Sequence, residues 1–270
     1  MVLIFYLCLK LSGVSNKKYT YFVSDAHLGI PSYDKSLERE KLLVQWLDQI
    51  KEDAAEIYLL GDIFDFWFEY KTVVPRGFVR FFGKIAEITD AGTPVHYFTG
   101  NHDMWIFSYF EKELGVVMHR KPLEKSINGK HFFIAHGDGL GPGDQGYKLL
   151  KKVFANRVCQ TLFSWLHPGF GTSLALYFSR RSRLANGKND EKFMGEDKEY
   201  LISFCKHTIR TKNIHYFIFG HRHLPLDIEI GPKTRYINTG DWVNHFSYAV
   251  FDGEKLSLNY FLDPKKPLSK

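Results

Sequence analysis

YTYFVSDAH (residues 19–27) is an apolar run that ends, almost without a spacer, in an acid and a histidine. Its aromatic and β-branched residues read as a buried strand, Tyr19–Val23, whose carboxyl tip carries Asp25 and His27. The construction recurs four times. Glu56–Leu60 runs into Gly61-Asp62, and Val95–Phe98 into Gly100-Asn101-His102-Asp103. Phe132–Ala135 runs into His136-Gly137-Asp138, and Tyr216–Phe219 into Gly220-His221-Arg222-His223. A sheet whose strands all deliver Asp, Asn or His at one end builds a single polar site along that rim. The donor types suit two hard or borderline divalent cations, and a cation pair points to phosphoester chemistry.

Helical spacing fills the intervals between these strands. Ser36 predicts a cap for a helix over Leu37–Lys51, where Leu43, Trp46, Leu47 and Ile50 form a buried stripe. A second helix is predicted over Phe78–Thr89, stopping at Gly92 before Pro94. After the last histidine cluster the pattern turns to short β runs: Arg235–Asn238, Ser247–Phe251, and Leu256–Phe261 behind Asp252-Gly253. Alternating strands and helices argue for an α/β sandwich with a β-rich closing segment.

The spacing of the clusters locates an insertion. Asp25 to Asp62 is 37 residues, Asp62 to Asn101 is 39 and Asn101 to His136 is 35, whereas His136 to His221 is 85. The last interval therefore carries about 45–50 residues more than one strand–helix unit needs. The expected organisation is a core over 19–145 and 199–262, a helical insert over 146–198 broken at Pro168-Gly169 and Gly187, an apolar leader over 1–18 and a tail over 263–270. The insert mixes aromatic residues such as Phe154, Trp165, Phe170 and Tyr177 with Arg180, Arg181, Arg183, Lys188 and Lys192. Beside a phosphoester site, that combination reads as a substrate-binding cap.

At 270 residues with 44% hydrophobic content, the chain can bury a large core, which excludes global disorder. A net charge of +6 favours an anionic partner: phosphate-bearing substrate, acidic lipid or nucleic acid. Cys8, Cys159 and Cys205 form no paired spacing, which fits a reducing, cytoplasmic setting. The run Val2–Leu9 is too short to cross a bilayer and lacks the basic flank and cleavage site of a signal peptide. It reads as an extra strand or as sequence upstream of the start, with a weak membrane-surface anchor as the alternative.

Two cations held close together need a bridging carboxylate, terminal histidine or amide ligands, and open positions for water and substrate. Asp25 and His27 stand two apart, as do His221 and His223, so each pair can face one ion. Asp62 at a strand end is the natural bridge, and Asn101 offers a neutral oxygen that limits charge accumulation.

The ordered motifs SDAHLG (24–29), GDIFDFWFEY (61–70), GNHDMW (100–105), HGDGLGPGDQGYK (136–148) and GHRHLP (220–225) resemble the calcineurin-like metallophosphoesterase superfamily. Within it they are most similar to the UDP-2,3-diacylglucosamine pyrophosphohydrolases of lipid A biosynthesis. The resemblance runs from about Tyr19 to Phe251 and implies an αββα sandwich with an inserted helical cap. It implies Asp25, His27, Asp62 and His223 on one metal, and Asp62, Asn101, His136 and His221 on the other, with manganese as the ion. It further implies in-line hydrolysis of the pyrophosphate, with release of UMP and 2,3-diacylglucosamine 1-phosphate. His102 would stabilise developing charge or protonate the leaving group, with Asp103 orienting it. The best-characterised branch carries arginine at the His102 position, so this chain departs from it there.

The resemblance also marks substrate contacts: Asp144, the pair Ser182 and Asn186, and, as pyrophosphate partners, Arg180, Arg181 and Lys188. The apolar face of the cap would receive two acyl chains and, with nearby basic residues, hold the protein peripherally on the cytoplasmic face of the inner membrane. No interleaved aromatic and basic strip lies outside the insert, which argues against a nucleic-acid partner. Absence of Asp-Arg-Gly after Asp62 argues against a protein phosphatase. The competing expectation is a soluble phosphodiesterase acting on another phosphodiester or nucleotide.

Overall fold

A computed structural model describes residues 18–142, 145–190 and 192–262, with 182–190 as backbone only. The apolar leader, the tail over 263–270 and Asp144 lie outside the described residues. In chain order the first half comprises β1 (Tyr19–Val23), α1 (Tyr33–Ile50), β2 (Ala54–Leu59), α2 (Val79–Asp90), β3 (Val95–Phe98), α3 (Tyr109–Leu114) and β4 (Val117–His119). There follow β5 (Leu123–Ile127), β6 (Lys130–Ile134), α4 (Gln145–Ala155), α5 (Arg157–Ser164) and α6 (Pro168–Asp190). A single 3₁₀ turn leads into α7 (Tyr200–Thr208), then β7 (Tyr216–Phe219), β8 (Pro225–Gly231), β9 (Thr234–Thr239), β10 (Ser247–Phe251) and β11 (Leu256–Tyr260).

The strands form two sheets, ordered β11-β10-β1-β2-β3-β4 and β5-β6-β7-β9-β8. They meet through an aromatic and aliphatic layer in which Phe22, Tyr58, Leu60 and Phe98 face Phe132, Ile134, Ile218 and Ile237. Outside the first sheet, α1 to α3 bury Leu43, Trp46, Leu47, Phe81, Ile85 and Phe110. Outside the second, α7 buries Leu201, Ile202 and Cys205 against Phe217, Phe219 and Tyr236. The result is the expected αββα sandwich.

β1, β2 and β3 are parallel neighbours, and so are β6 and β7, so all five polar clusters leave carboxyl ends of parallel strands. The rim is nevertheless shared by two sheets rather than built on one. The chain crosses from the first sheet to the second between β4 and β5, over residues 120–122, and the two-residue turn Asn128-Gly129, with φ of 47° and 77°, then folds β6 back on β5 within the second sheet.

Several boundaries differ from the sequence reading for identifiable reasons. The cap of α1 is Ser32, whose hydroxyl accepts from Lys35 N at 3.3 Å. Ser36 lies inside the helix and accepts from Gly29 N at 2.7 Å, bracing the loop behind His27. α6 begins at Pro168, where a missing N–H costs nothing, and continues through Gly187, where a break was expected. A helix-interior glycine costs only about 1 kcal/mol, which does not end a helix of this length.

α4 and α5 bury no side chain. They touch the sandwich through Trp105, whose indole N–H donates to Phe154 O at 2.8 Å, and through Phe163, whose ring packs on those of Phe68 and Trp105 at 4.7 and 4.8 Å. No helix among the described residues is long and apolar enough to cross a membrane.

Candidate metal centre

The backbone at the rim is held in a conformation that side chains avoid. Asp25, His27, Asp62, His221 and His223 all have left-handed φ, between 42° and 68°. Each such residue costs on the order of 1–3 kcal/mol and persists only where its surroundings determine it. Five of the eight non-glycine residues with positive φ among the described residues are thus candidate ligands.

Those surroundings are visible. Asp25 N donates to Gly61 O at 3.1 Å, and His27 N to Asp62 O at 3.0 Å, knitting two strand ends together. His221 N donates to Asp25 Oδ2 at 2.9 Å, joining the second sheet to the first. The buried Arg39 of α1 donates to the carbonyls of Ala26, His27 and Ile30 at 3.1, 2.9 and 3.2 Å. Ser24 hydrogen bonds Asp25 and Thr239. Asp241 accepts backbone N–H groups from Val243, Asn244 and His245, while its other oxygen lies 3.9 Å from His223 Nδ1.

Three groups of donors result among the described residues, one of them His27, Asp65 and His102, and the other two hold the expected ligands. Asp25, His27 and His223 place one ligand atom each within 4.8 Å of one another, and Asp62, His136 and His221 do the same. Asn101 Oδ1 joins the second group at 3.2 Å from His136 Nε2, whose distance to Asp62 Oδ2 is 3.3 Å. In the first group His223 Nε2 lies 3.2 Å from Asp25 Oδ1 and 3.1 Å from His27 Nε2. The structure therefore brings together all seven residues expected as ligands.

The donors fit cations. Asp25 Oδ1 is fully buried and accepts no hydrogen bond among the described residues, an orphan that costs free energy unless a positive partner meets it. Burial alone would raise the Asp25 carboxyl, but the imidazoles of His223 and His27 outweigh it and hold it well below the ordinary range. Asp62 is likewise lowered against its burial, chiefly by His136 and His102. Burial would lower His136, yet Asp62 beside it carries that imidazole up to about 10. Burial, aided by His136, pushes His221 down to about 4. A cluster that retains one proton against desolvation and refuses another is an anionic cage, and a divalent cation replaces that proton with more charge.

The loops behind the ligands admit nothing larger than glycine. A Cβ on Gly61 would meet Gly100 N at 2.7 Å and His136 Nδ1 at 2.9 Å, and one on Gly220 would meet Asp25 Oδ2 at 2.5 Å.

His102 sits at the mouth of this cage. Its backbone N–H donates to Asp62 Oδ1 at 2.8 Å, and its ring Nδ1 lies 2.9 Å from Asp65 O. That contact assigns the Nδ1 proton to the carbonyl and leaves Nε2 as the working nitrogen. Asp103 does not touch the His102 ring. It accepts from Ile63 N at 3.0 Å, Tyr97 Oη at 2.6 Å and Gly100 N at 2.7 Å, locking the loop that presents Asn101. Burial, with Asp62 nearby, raises its carboxyl to about 6. The carboxylate facing His102 is Asp65, 3.8 Å from Nδ1 and also 3.6 Å from His27 Nδ1. Asp65, Asp241 and Arg39 have no place in the sequence reading, although Asp65 stands inside the quoted GDIFD segment.

Of the expected substrate contacts, Arg180 and Arg181 are exposed on α6. Ser182, Asn186 and Lys188 lie outside the described side chains, as does Asp144. Asp138, to which no role was attached, accepts from Tyr147 Oη at 2.6 Å and pairs with Lys151 at 2.5 Å, tying α4 to the rim.

Strand ends from two sheets that converge on one cage of Asp, Asn and His donors define a metal-dependent phosphoesterase. The comparisons agree. Residues 19–225 match the calcineurin-like phosphoesterase family, and the chain belongs to it. It is similar to the UDP-2,3-diacylglucosamine hydrolase of Porphyromonas gingivalis, 38% identical over 90% of this chain and 97% of that protein. It is also similar to proteins of that name from Proteus mirabilis, 28% identical over 90% of this chain and 98% of the relative, and from Neisseria meningitidis, 29% identical over 88% and 95%. The protein is a hydrolase of this family.

Proposed function

We propose that this hydrolase cleaves the pyrophosphate of UDP-2,3-diacylglucosamine, giving UMP and 2,3-diacylglucosamine 1-phosphate, and that manganese is its metal. The observation that carries the substrate is the surface of the insert beside the cage. Of eighteen large hydrophobic residues exposed among the described ones, thirteen lie between Leu149 and Met194. Soluble proteins rarely leave such a surface bare, and a nucleotide sugar with two acyl chains gives it a use. The relatives' names support the same substrate.

Asp25, His27, Asp62 and His223 would hold one cation, and Asp62, Asn101, His136 and His221 the second. Bound there, the pair supplies Lewis acidity, acidifying water and neutralising charge that builds on phosphoryl oxygens. The chain's own part is to hold seven donors in preorganised positions, five of them on strained backbone, so that little reorganisation accompanies reaction. His102, fixed through Nδ1, offers Nε2 to the leaving phosphate oxygen as a charge stabiliser or, when protonated, a proton donor. Residues 146–198 act as a cap, with Asp144, Arg180, Arg181, Ser182, Asn186 and Lys188 as contacts to sugar and pyrophosphate. The exposed apolar residues and adjacent arginines would seat the protein peripherally on the anionic cytoplasmic face of the inner membrane.

The test is UMP release from UDP-2,3-diacylglucosamine in detergent with added Mn²⁺. Steady release that chelator abolishes is expected. Hydrolysis of bis(p-nitrophenyl) phosphate without any UMP would overturn the substrate and leave the metal centre standing.

A further inference from the structure

Ser179 of α6 reaches out of the insert and donates its hydroxyl to Asp65 Oδ2 at 3.0 Å. The other oxygen of that buried carboxylate lies 3.6 Å from Nδ1 of His27, whose Nε2 belongs to the first donor group. The Ser179 hydroxyl is also 3.4 Å from His102 Nδ1. One carboxylate therefore faces an insert helix with one oxygen and a ligand imidazole with the other.

We propose that Ser179 and Asp65 couple the seat of α6 to the metal centre, so that cation binding tightens the insert on the core and the seated insert tightens cation binding. The chemistry runs through His27. An imidazole that gives Nε2 to a cation must carry its proton on Nδ1, and coordination makes that N–H a stronger donor. Asp65 Oδ1 is the acceptor it faces. The carboxylate so held presents Oδ2 to Ser179 in a fixed position. Coupling of this kind is reciprocal: whatever factor the metal adds to helix seating, the seated helix adds to metal affinity.

Among the described side chains of α6, the Ser179 hydroxyl makes the hydrogen bond that reaches the core. Between Pro168 and Arg181 only Gly171 is buried. That glycine packs where a Cβ would meet the hydroxyl of Tyr70 at 2.5 Å and the ring of Phe163 at 3.2 Å. Among the described side chains of 168–181, which otherwise rest on the core through Gly171 and a few half-buried residues, that bond is the polar tie. Ser179 is thus a positioning residue: it acts on His27 and His102 through Asp65. The proposal rests on the metal-centre reading of Asp25, His27 and His223, and it needs no particular substrate.

Hydrogen exchange on the full chain tests it, with chelator-stripped protein titrated with Mn²⁺ and followed by mass spectrometry. Two segments report: 168–181 on the insert and 54–62 through β2 to Asp62. In wild type, Mn²⁺ should slow exchange in both. In Ser179→Ala the slowing at 54–62 should persist, while that at 168–181 falls by about tenfold, the equivalent of one hydrogen bond to a charged group. Calorimetric titration should show Mn²⁺ binding weakened by a similar factor, and Ser179→Thr, which keeps the hydroxyl, should restore both. Protection at 54–62 without protection at 168–181 in wild type, or full protection at 168–181 in Ser179→Ala, overturns the coupling alone. Protection at neither segment overturns the metal centre as well.

Discussion

Gly100 precedes the candidate ligand Asn101, and replacing it with alanine isolates a single steric effect. Its φ lies outside the left-handed region, so alanine can adopt the backbone without strain. The added Cβ, however, would stand 2.7 Å from both Asp62 Cγ and Asp62 N, and closer still to Asp62 Oδ1. An ordinary contact begins at 3.4 Å, so the two loops must part by about 0.7 Å. A side chain alone cannot yield, because one obstacle is backbone. Asp62 O also accepts from His27 N, so a shift of Asp62 reaches both donor groups. Displacements near 1 Å at a catalytic centre cost on the order of 10²-fold in rate, and overpacking costs roughly 1–3 kcal/mol of stability. Gly100→Ala should therefore lose about a hundredfold in UMP release, hold less than two equivalents of metal by elemental analysis, and melt several degrees lower. Gly83→Ala provides the contrast: it is exposed, helical, and has nothing within 4 Å of the new methyl. That variant should gain roughly 0.5–1 kcal/mol. A Gly100→Ala protein that binds two metals and turns over normally would refute the claim that the loops interlock at van der Waals distance.

Arg222, between the two histidines of its cluster, pairs in bidentate fashion with buried Glu199 at 2.9 and 2.8 Å. Arg222→Ala strands that carboxylate and should cost roughly 3–5 kcal/mol by denaturant unfolding, whereas Arg222→Met combined with Glu199→Leu should recover most of it. His96 stacks on Tyr58 at 4.4 Å and is held down to about 4, by burial first and then by His119 and Lys125, against the opposing pull of Glu56. Its unfolded imidazole titrates near 6.5, so the unfolded chain binds the extra proton between pH 6.5 and 4. The stability contributed by neutral His96 is complete above that window and is lost as pH falls through it. Discounted for partial exposure, the loss is about 1–2 kcal/mol, and His96→Phe should flatten urea midpoints between pH 7 and 4.5 by that amount. Trp165 is 76% exposed on the insert. Trp165→Asp should cut co-sedimentation with anionic vesicles by about tenfold or more, since a buried large apolar side chain is worth roughly 1.5–3 kcal/mol; unchanged sedimentation would remove this face from the membrane.

Legibility in the sequence followed the range of the interaction. β1, β3, β7 and β10 match their predicted spans residue for residue, because each is a short apolar run closed by a polar cluster that fixes its end. The gathering of the seven candidate ligands was legible for the same reason: strand geometry carries them to one rim. Signals that depend on partners far along the chain were not. Ser36 has the sequence of a helix cap, yet its hydroxyl belongs to Gly29, and only the fold reveals that the cap role has passed to Ser32. The division of the rim between two sheets is made in the short crossing between β4 and β5, at residues 120–122, which an account built on acid and histidine clusters passes over. Asp65 and Ser179 stand 114 residues apart, and no periodicity relates them. The left-handed backbone of Asp25, His27, Asp62, His221 and His223 has only a weak signature in residue type: Asp and His are enriched in that region, yet most of them adopt ordinary φ. What holds these residues there is the set of donors and acceptors behind them: Arg39 on the His27 loop, Gly61 O on Asp25 N, Asp25 Oδ2 on His221 N. The candidate ligands can be read from the chain because they are chemistry. Their strain cannot, because it is a property of the neighbours, and it is the neighbours that make a cage of seven donors rigid enough to select for charge.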